Sequence, residues 1–137
     1  MIQHKPIAKK RHRVFQRNSK VCVYDPQNSE KLDAKWQIAS QMRNQKLSAL
    51  KGAVSLKLMS YVSIPTSFSR KKRESLENSY TLTKPDLDNY LKFYLDVLNG
   101  IAYDDDKQVV QIFSEKRYSE NPRVIIELEG TESCTIM

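Results

Sequence analysis

Cysteine is scarce in this 137-residue chain: only Cys22 and Cys134 occur, and neither has a paired or metal-type spacing around it. That excludes a disulfide framework and a thiolate metal site, and a reduced, cytoplasmic setting is expected. Histidine is as rare, and His4 and His12 have no partners at ligand spacing, so they read as ordinary surface residues. No apolar run approaches membrane-spanning length, and the first twenty residues are basic throughout, with no apolar core of signal-peptide length. No membrane partner is expected. Acid is missing altogether from residues 1–24, which hold seven Lys or Arg. The single tryptophan, Trp36, reads as core.

What is present suits one globular domain over residues 1–137, with 39% hydrophobic and 28% charged residues. The net charge of +7 is unevenly spread. Asp86–Asp106 contains six Asp and one Lys, or −5, so the remainder carries +12. A basic surface with one acidic spot points to a polyanion held broadly and cations recruited locally. The candidate DNA grips are Lys9, Lys10, Arg11 and Arg13 in a basic arm over residues 1–12, and Arg70, Lys71, Lys72 and Arg73 in mid-chain.

Two short strands, Arg13–Phe15 and Val21–Tyr24, flank a polar turn at Arg17-Asn18-Ser19. Cys22 within the second reads as a small buried hydrophobe. Asp25–Ser29 has cap chemistry for a helix over about residues 29–46, with Leu32, Trp36 and Ala39 as its stripe and Ile38 and Met42 beside it. Residues 53–64 alternate as a strand, with Val54, Leu56, Leu58, Val62 and Ile64 inward, and Pro65 ends it. Residues 66–84 have no period and read as a mobile loop. Leu87–Leu98 is a helix with Leu87, Leu91, Tyr94, Leu95 and Leu98 on its apolar side, stopped by Asn99-Gly100. Phe93, on the polar side, is a candidate to stack on unpaired bases. Gln108–Lys116 and Arg123–Glu129 read as a hairpin, and residues 130–137 as a frayed tail. The expectation is α+β: a small mixed sheet with two main helices.

The chemistry gathers in Lys84-Pro85-Asp86-Leu87-Asp88-Asn89 and the later Asp104-Asp105-Asp106. Pro85 keeps Lys84 out of helix, so the chain arrives extended and turns helical near Asp86. Across such a junction Asp86 and Asp88 can converge while Leu87 turns to the core. Lys92 is i+4 from Asp88 on the polar edge. Mg²⁺ takes oxygen ligands and prefers a few carboxylates plus water and phosphate, which suits phosphodiester hydrolysis. A lysine beside them can stabilise charge on phosphate oxygens. Against this, Asp86 could merely cap, Asp88–Lys92 could be a surface ion pair, and the Asp run a polar loop. A non-catalytic nucleic-acid-binding protein then remains. A D-x-D nucleotide-sugar transferase fits poorly, because the chain is short and has three glycines.

The order D-x-D-N, then Lys92, then Leu98-Asn99-Gly100, then Tyr103-Asp104-Asp105-Asp106-Lys107-Gln108-Val109-Val110 resembles the RusA family of Holliday junction resolvases, closely over residues 84–117. The resemblance implies that Asp86, Asp88 and Asp106 are catalytic carboxylates and metal ligands, Asp105 a further ligand and Lys92 the catalytic lysine. Asp104 is extra to the family pattern and leaves open which acid of the run binds metal. The resemblance also implies a homodimer, dependent on Mg²⁺ (Mn²⁺ as the alternative), that makes paired cuts in a four-way DNA junction. Phage or prophage origin is common in the family.

Overall fold

The computed structural model describes residues 5–10 and 13–131, and the backbone alone for the strands over 13–17 and 20–24. The expected burial of Cys22, the side chains of Arg11 and Arg13, and the tail beyond residue 131 lie outside this description.

The chain opens with an antiparallel pair, β1 (Arg13–Arg17) and β2 (Lys20–Tyr24). Asn18 and Ser19 turn between them with φ of 48° and 61°, the left-handed pair whose twist suits a two-residue hairpin. Helix α1 (Asn28–Asn44) follows, with the Asp25 carboxylate accepting from Gln27 N at 2.9 Å just before it. The buried residues of α1 are Ala34 and Ile38, whereas Leu32 is 66% and Trp36 70% exposed. Trp36 is therefore not core. Large aromatic side chains from elsewhere already fill the interior, and the small Ala34 fits against them where an indole would not.

Strand β3 (Val54–Ser63) is central in a three-stranded sheet of order β4-β3-β5. It runs parallel to β4 (Val109–Ser119) and antiparallel to β5 (Arg123–Gly130). Val54, Leu56 and Leu58 face the core as the alternation predicts. The expected hairpin does not form: β4 and β5 are close in sequence yet lie on opposite sides of β3. Their link, residues 120–122, crosses the end of β3, because the strand with the most regular apolar alternation takes the middle of the sheet.

Residues 66–84 are not a featureless loop. They contain α2 (Arg70–Leu76), capped by Ser69, which accepts from Lys72 N at 3.3 Å. Nothing in α2 is buried, so no periodicity announced it. It is fastened by polar contacts instead. The Glu77 carboxylate accepts from Ser119 Oγ at 2.9 Å and from Glu120 N at 2.8 Å, and Asn78 and Ser79 bond to the backbone of Tyr118.

Helix α3 (Leu87–Leu98) has the predicted bounds, and Gly100, at φ +79°, supplies the left-handed residue after its end. Its buried stripe is Tyr90, Phe93, Tyr94, Val97 and Leu98. Leu91 and Leu95 pack beside the core and are half-buried. Phe93 is completely buried, edge-on to Tyr94 at 5.0 Å, and is not available to a base. The core joins α1, α3 and the inner faces of β3 and β5 through Ile38, Leu56, Leu58, Phe93, Tyr94 and Val124.

Residues 5–10 are extended but docked. Ile7 N donates to Tyr94 Oη at 3.1 Å, Lys9 N to Asn89 O at 2.8 Å and Lys10 N to Gln27 Oε1 at 2.8 Å. Gln27, fully buried, returns a bond from Nε2 to Ala8 O at 2.7 Å. Among the described residues no helix is long and apolar enough to cross a membrane.

Candidate active site

Both acidic segments are positioned by α3, one at each end. The chain bends at Lys84 and Pro85, which are joined by a cis peptide bond, and Asp86 takes the N-cap position with extended backbone, φ −69° and ψ 151°. Its side chain makes no capping hydrogen bond. The simplest structural use of Asp86 is thus not made, and its carboxylate is exposed. Asp88, in the first turn, lies 3.4 Å from Lys92 with both side chains more than 60% exposed. An ion pair so long and so exposed contributes only a few tenths of a kcal/mol to stability.

Beyond α3 the chain is knitted much more tightly. Tyr103 is buried and donates to Leu95 O at 3.1 Å, and burial pushes its phenol well above the ordinary range. Asp104 pairs with Lys51 at 2.7 Å on the surface. Asp105 caps a 3₁₀ turn over Asp106–Gln108, accepting from Lys107 N at 3.0 Å. Gln108 is the fastener. Its Oε1 accepts from the backbone N–H groups of Asp104 and Asp105 at 2.9 and 3.1 Å. Its Nε2 donates to Leu50 O and Gly52 O at 3.0 and 2.9 Å. A glutamine has both donors and acceptors on one amide, so it can hold two segments at once.

The neighbouring carboxyls of Asp105 and Asp106 shift in opposite directions. A hydrogen bond that protonated Asp106 donates to the Asp105 carboxylate, partial desolvation and the negative charges of Asp105 and Asp96 raise Asp106 above the usual carboxylate range. The bond from Lys107 N, then that from Asp106, lower Asp105. Asp96 was not among the residues singled out from sequence. It is two turns beyond Asp88 on the same stripe as Lys92, and that i, i+4, i+8 spacing was its available signal. It is held by Lys9 and lies 3.8 Å from Lys31.

The expected convergence of the acids does not appear. Among the described residues no three His, Cys, Asp or Glu side chains gather closely enough to hold a metal ion. Asp88 leans along the helix to Lys92, whereas Asp106 is next to Asp105 and feels the charge of Asp96 late in α3. The acids form two pairs along one helix.

The candidate grips differ from one another. Lys9 is engaged by Asp96, which raises its pKa through a side-chain hydrogen bond. Lys10 and Lys71 are exposed. Lys72 lies 3.8 Å from the centre of the Phe68 ring, Arg70 pairs with Glu74 at 3.1 Å and Arg73 with Glu120 at 3.4 Å. An apolar groove of about 380 Å³, lined by Ile38, Met42, Leu47, Leu50, Ile126 and Leu128, contains none of the predicted site residues.

Comparison with known proteins decides the family. The sequence model described as "Endodeoxyribonuclease RusA" matches residues 3–129. The chain belongs to the RusA family. A relative in Bacillus subtilis (strain 168), "Uncharacterized protein YqaN", is 40% identical over 128 residues, which cover 90% of this chain and 89% of that protein. This RusA-family chain is accordingly placed among endodeoxyribonucleases, and the match spans the arm, both helices bearing the core, and every strand.

Proposed function

We propose that this chain is a divalent-metal-dependent endonuclease that resolves four-way DNA junctions by paired phosphodiester hydrolysis, acting as a homodimer. The observation that supports it most is the state of Asp86: it stands at a helix start, exposed and uncapped, in a chain of an endodeoxyribonuclease family. The donor chemistry fits a hard cation. Asp86, Asp88, Asp105 and Asp106 offer only carboxylate oxygen, and Asp106 has the raised proton affinity of an acid beside another acid. Asp86 with Asp88, and Asp105 with Asp106, would each offer carboxylate oxygen to Mg²⁺ or Mn²⁺, with water and substrate phosphate completing the ligands, and the ion would supply Lewis acidity and a water of lowered pKa when bound. Lys92 is the group to meet negative charge on the phosphate oxygens as the bond breaks. The exposed Lys10, Lys71 and Lys72 would touch flanking phosphates, and such contacts set position without reading sequence. A two-fold dimer would provide one site for each of the two symmetric cuts.

The test is a synthetic four-way junction incubated with the full chain. Paired nicks are expected in Mg²⁺ and binding alone in EDTA. Binding with no metal-dependent nicking would identify a DNA-binding protein without nuclease activity, and a monomer that still made paired cuts would remove the dimer.

A further inference from the structure

Lys116 lies on the wrong side of its strand for a surface lysine. It pairs in register with Ser60, a buried residue of the core-facing row, so its side chain leaves β4 on the side that bears the helices. An ammonium group there requires acceptors, and it has two. Lys116 Nζ donates to Thr83 O at 2.7 Å and to Pro85 O at 3.1 Å. Neither acceptor is a carboxylate, and no acid is within ion-pair distance of Lys116 among the described residues. Both carbonyls belong to the few residues that lead into Asp86, and the second belongs to the peptide group shared with Asp86 itself.

The same stretch is fastened along its length. Tyr118 on β4 exchanges backbone hydrogen bonds with Asn78 and Ser79, and Tyr80 bridges to Arg117. The buried Thr81 shares a hydroxyl contact of 2.7 Å with Thr83 and accepts from Thr83 N at 3.2 Å. The backbone bridge to β4 is at Tyr80, and the Lys116 side chain takes over beyond it. A strap thus runs along the outer edge of β4 and ends at Asp86, whose own side chain is fixed by no cap.

We infer that Lys116 is a positioning residue for the metal-binding carboxylates: it holds the strap so that Asp86, and with it Asp88, is presented at a fixed place. This rests on the nuclease reading above and adds to it a residue that touches neither the metal nor the scissile phosphate. Groups that orient metal ligands from behind typically change metal affinity or activity by about 10–100-fold when removed.

The experiment titrates Mn²⁺ into the full chain by calorimetry, without DNA, and follows single-turnover cleavage of a four-way junction against Mg²⁺ concentration. Lys116→Met should weaken Mn²⁺ binding about tenfold or more and raise the Mg²⁺ needed for half-maximal cleavage similarly. Junction affinity in EDTA should stay as in the parent chain, and Lys116→Arg, which keeps donors, should recover most of both losses. If Lys116→Met does not fold, Thr81→Val loosens the same strap and carries the same expectation for Mn²⁺. Parental Mn²⁺ affinity and cleavage in the folded variant would overturn the role of Lys116 while leaving the nuclease reading intact. A parent chain that neither binds Mn²⁺ nor nicks the junction would remove both.

Discussion

The two ends of α3 present carboxylates in opposite ways. At its start, Asp86 and Asp88 are exposed, with no cap bond and one long contact to Lys92. Past its end, Asp105 and Asp106 sit in a loop tied by four hydrogen bonds of Gln108 and anchored by the buried Tyr103. One pair is held through the backbone behind it, the other through its own turn. The difference teaches that similar carboxylates can be positioned in two separate ways, and substitutions should tell them apart.

The largest effect is expected when either end loses a ligand. Asp86→Asn, Asp88→Asn and Asp106→Asn should each lower single-turnover cleavage by roughly a thousandfold, about 4 kcal/mol of transition-state stabilisation. Junction binding in a gel-shift assay should survive or tighten, since a charge that repels phosphate is gone. If only one end mattered, the variants at the other would cut at the parental rate, and the comparison would collapse to a single metal-bearing pair. Lys92→Ala should follow, lowering the cleavage step about 10–100-fold at saturating enzyme with little change in affinity. An unchanged rate would reduce Lys92 to the surface ion pair its geometry also permits.

Gln108→Ala sharpens the contrast on the stability axis. Losing four partly exposed hydrogen bonds at the acidic loop should destabilise the fold by about 2 kcal/mol, read as a fall in thermal midpoint. No single substitution at the start of α3 should do as much. Smaller still is the titration of the loop pair, followed by carboxyl NMR in the metal-free chain. As pH rises, Asp105 should lose its proton first, below the ordinary carboxylate range, and Asp106 later, above it. Asp105→Asn removes the neighbouring charge, so Asp106 should titrate lower than in the parent. An Asp106 unmoved by that change would mean that the two carboxyls do not share a hydrogen bond in solution.

Much of this was legible in residue order. The start of a helix at Asp86, the bounds of α3 and the inward face of β3 follow from local rules, and the structure has them, although the chain bends at Lys84 and Pro85 instead of arriving extended. What periodicity could not supply was the neighbour. It grouped Leu32 with Trp36 correctly as one side of α1, but which side meets the core depends on what α3 brings there. For the same reason Phe93 was assigned outward and is buried. Strand pairing is equally non-local, so adjacent β4 and β5 read as partners when each prefers β3. Helix α2 and the docked arm are held by polar contacts to Ser119, Glu120 and Gln27, which leave no pattern in hydrophobicity. The acidic residues and their order around α3 were there to be read in the sequence. The separation of those acids into two groups, and the contacts made by Asp96, Gln108 and Lys116, came from the fold.

The position of β3 also bears on when the molecule can exist. Every ladder partner of β3 is on β4 or β5, more than fifty residues downstream. Such distant pairings make assembly slow and late, because most of the chain must be present before the first of them can close. A growing chain that has just released α3 carries Asp86, Asp88 and Lys92 but has no β4, and so lacks the edge along which the strap is laid. The stretch that leads into Asp86 can therefore be fastened only after β4 has been made, although it precedes β4 in the chain.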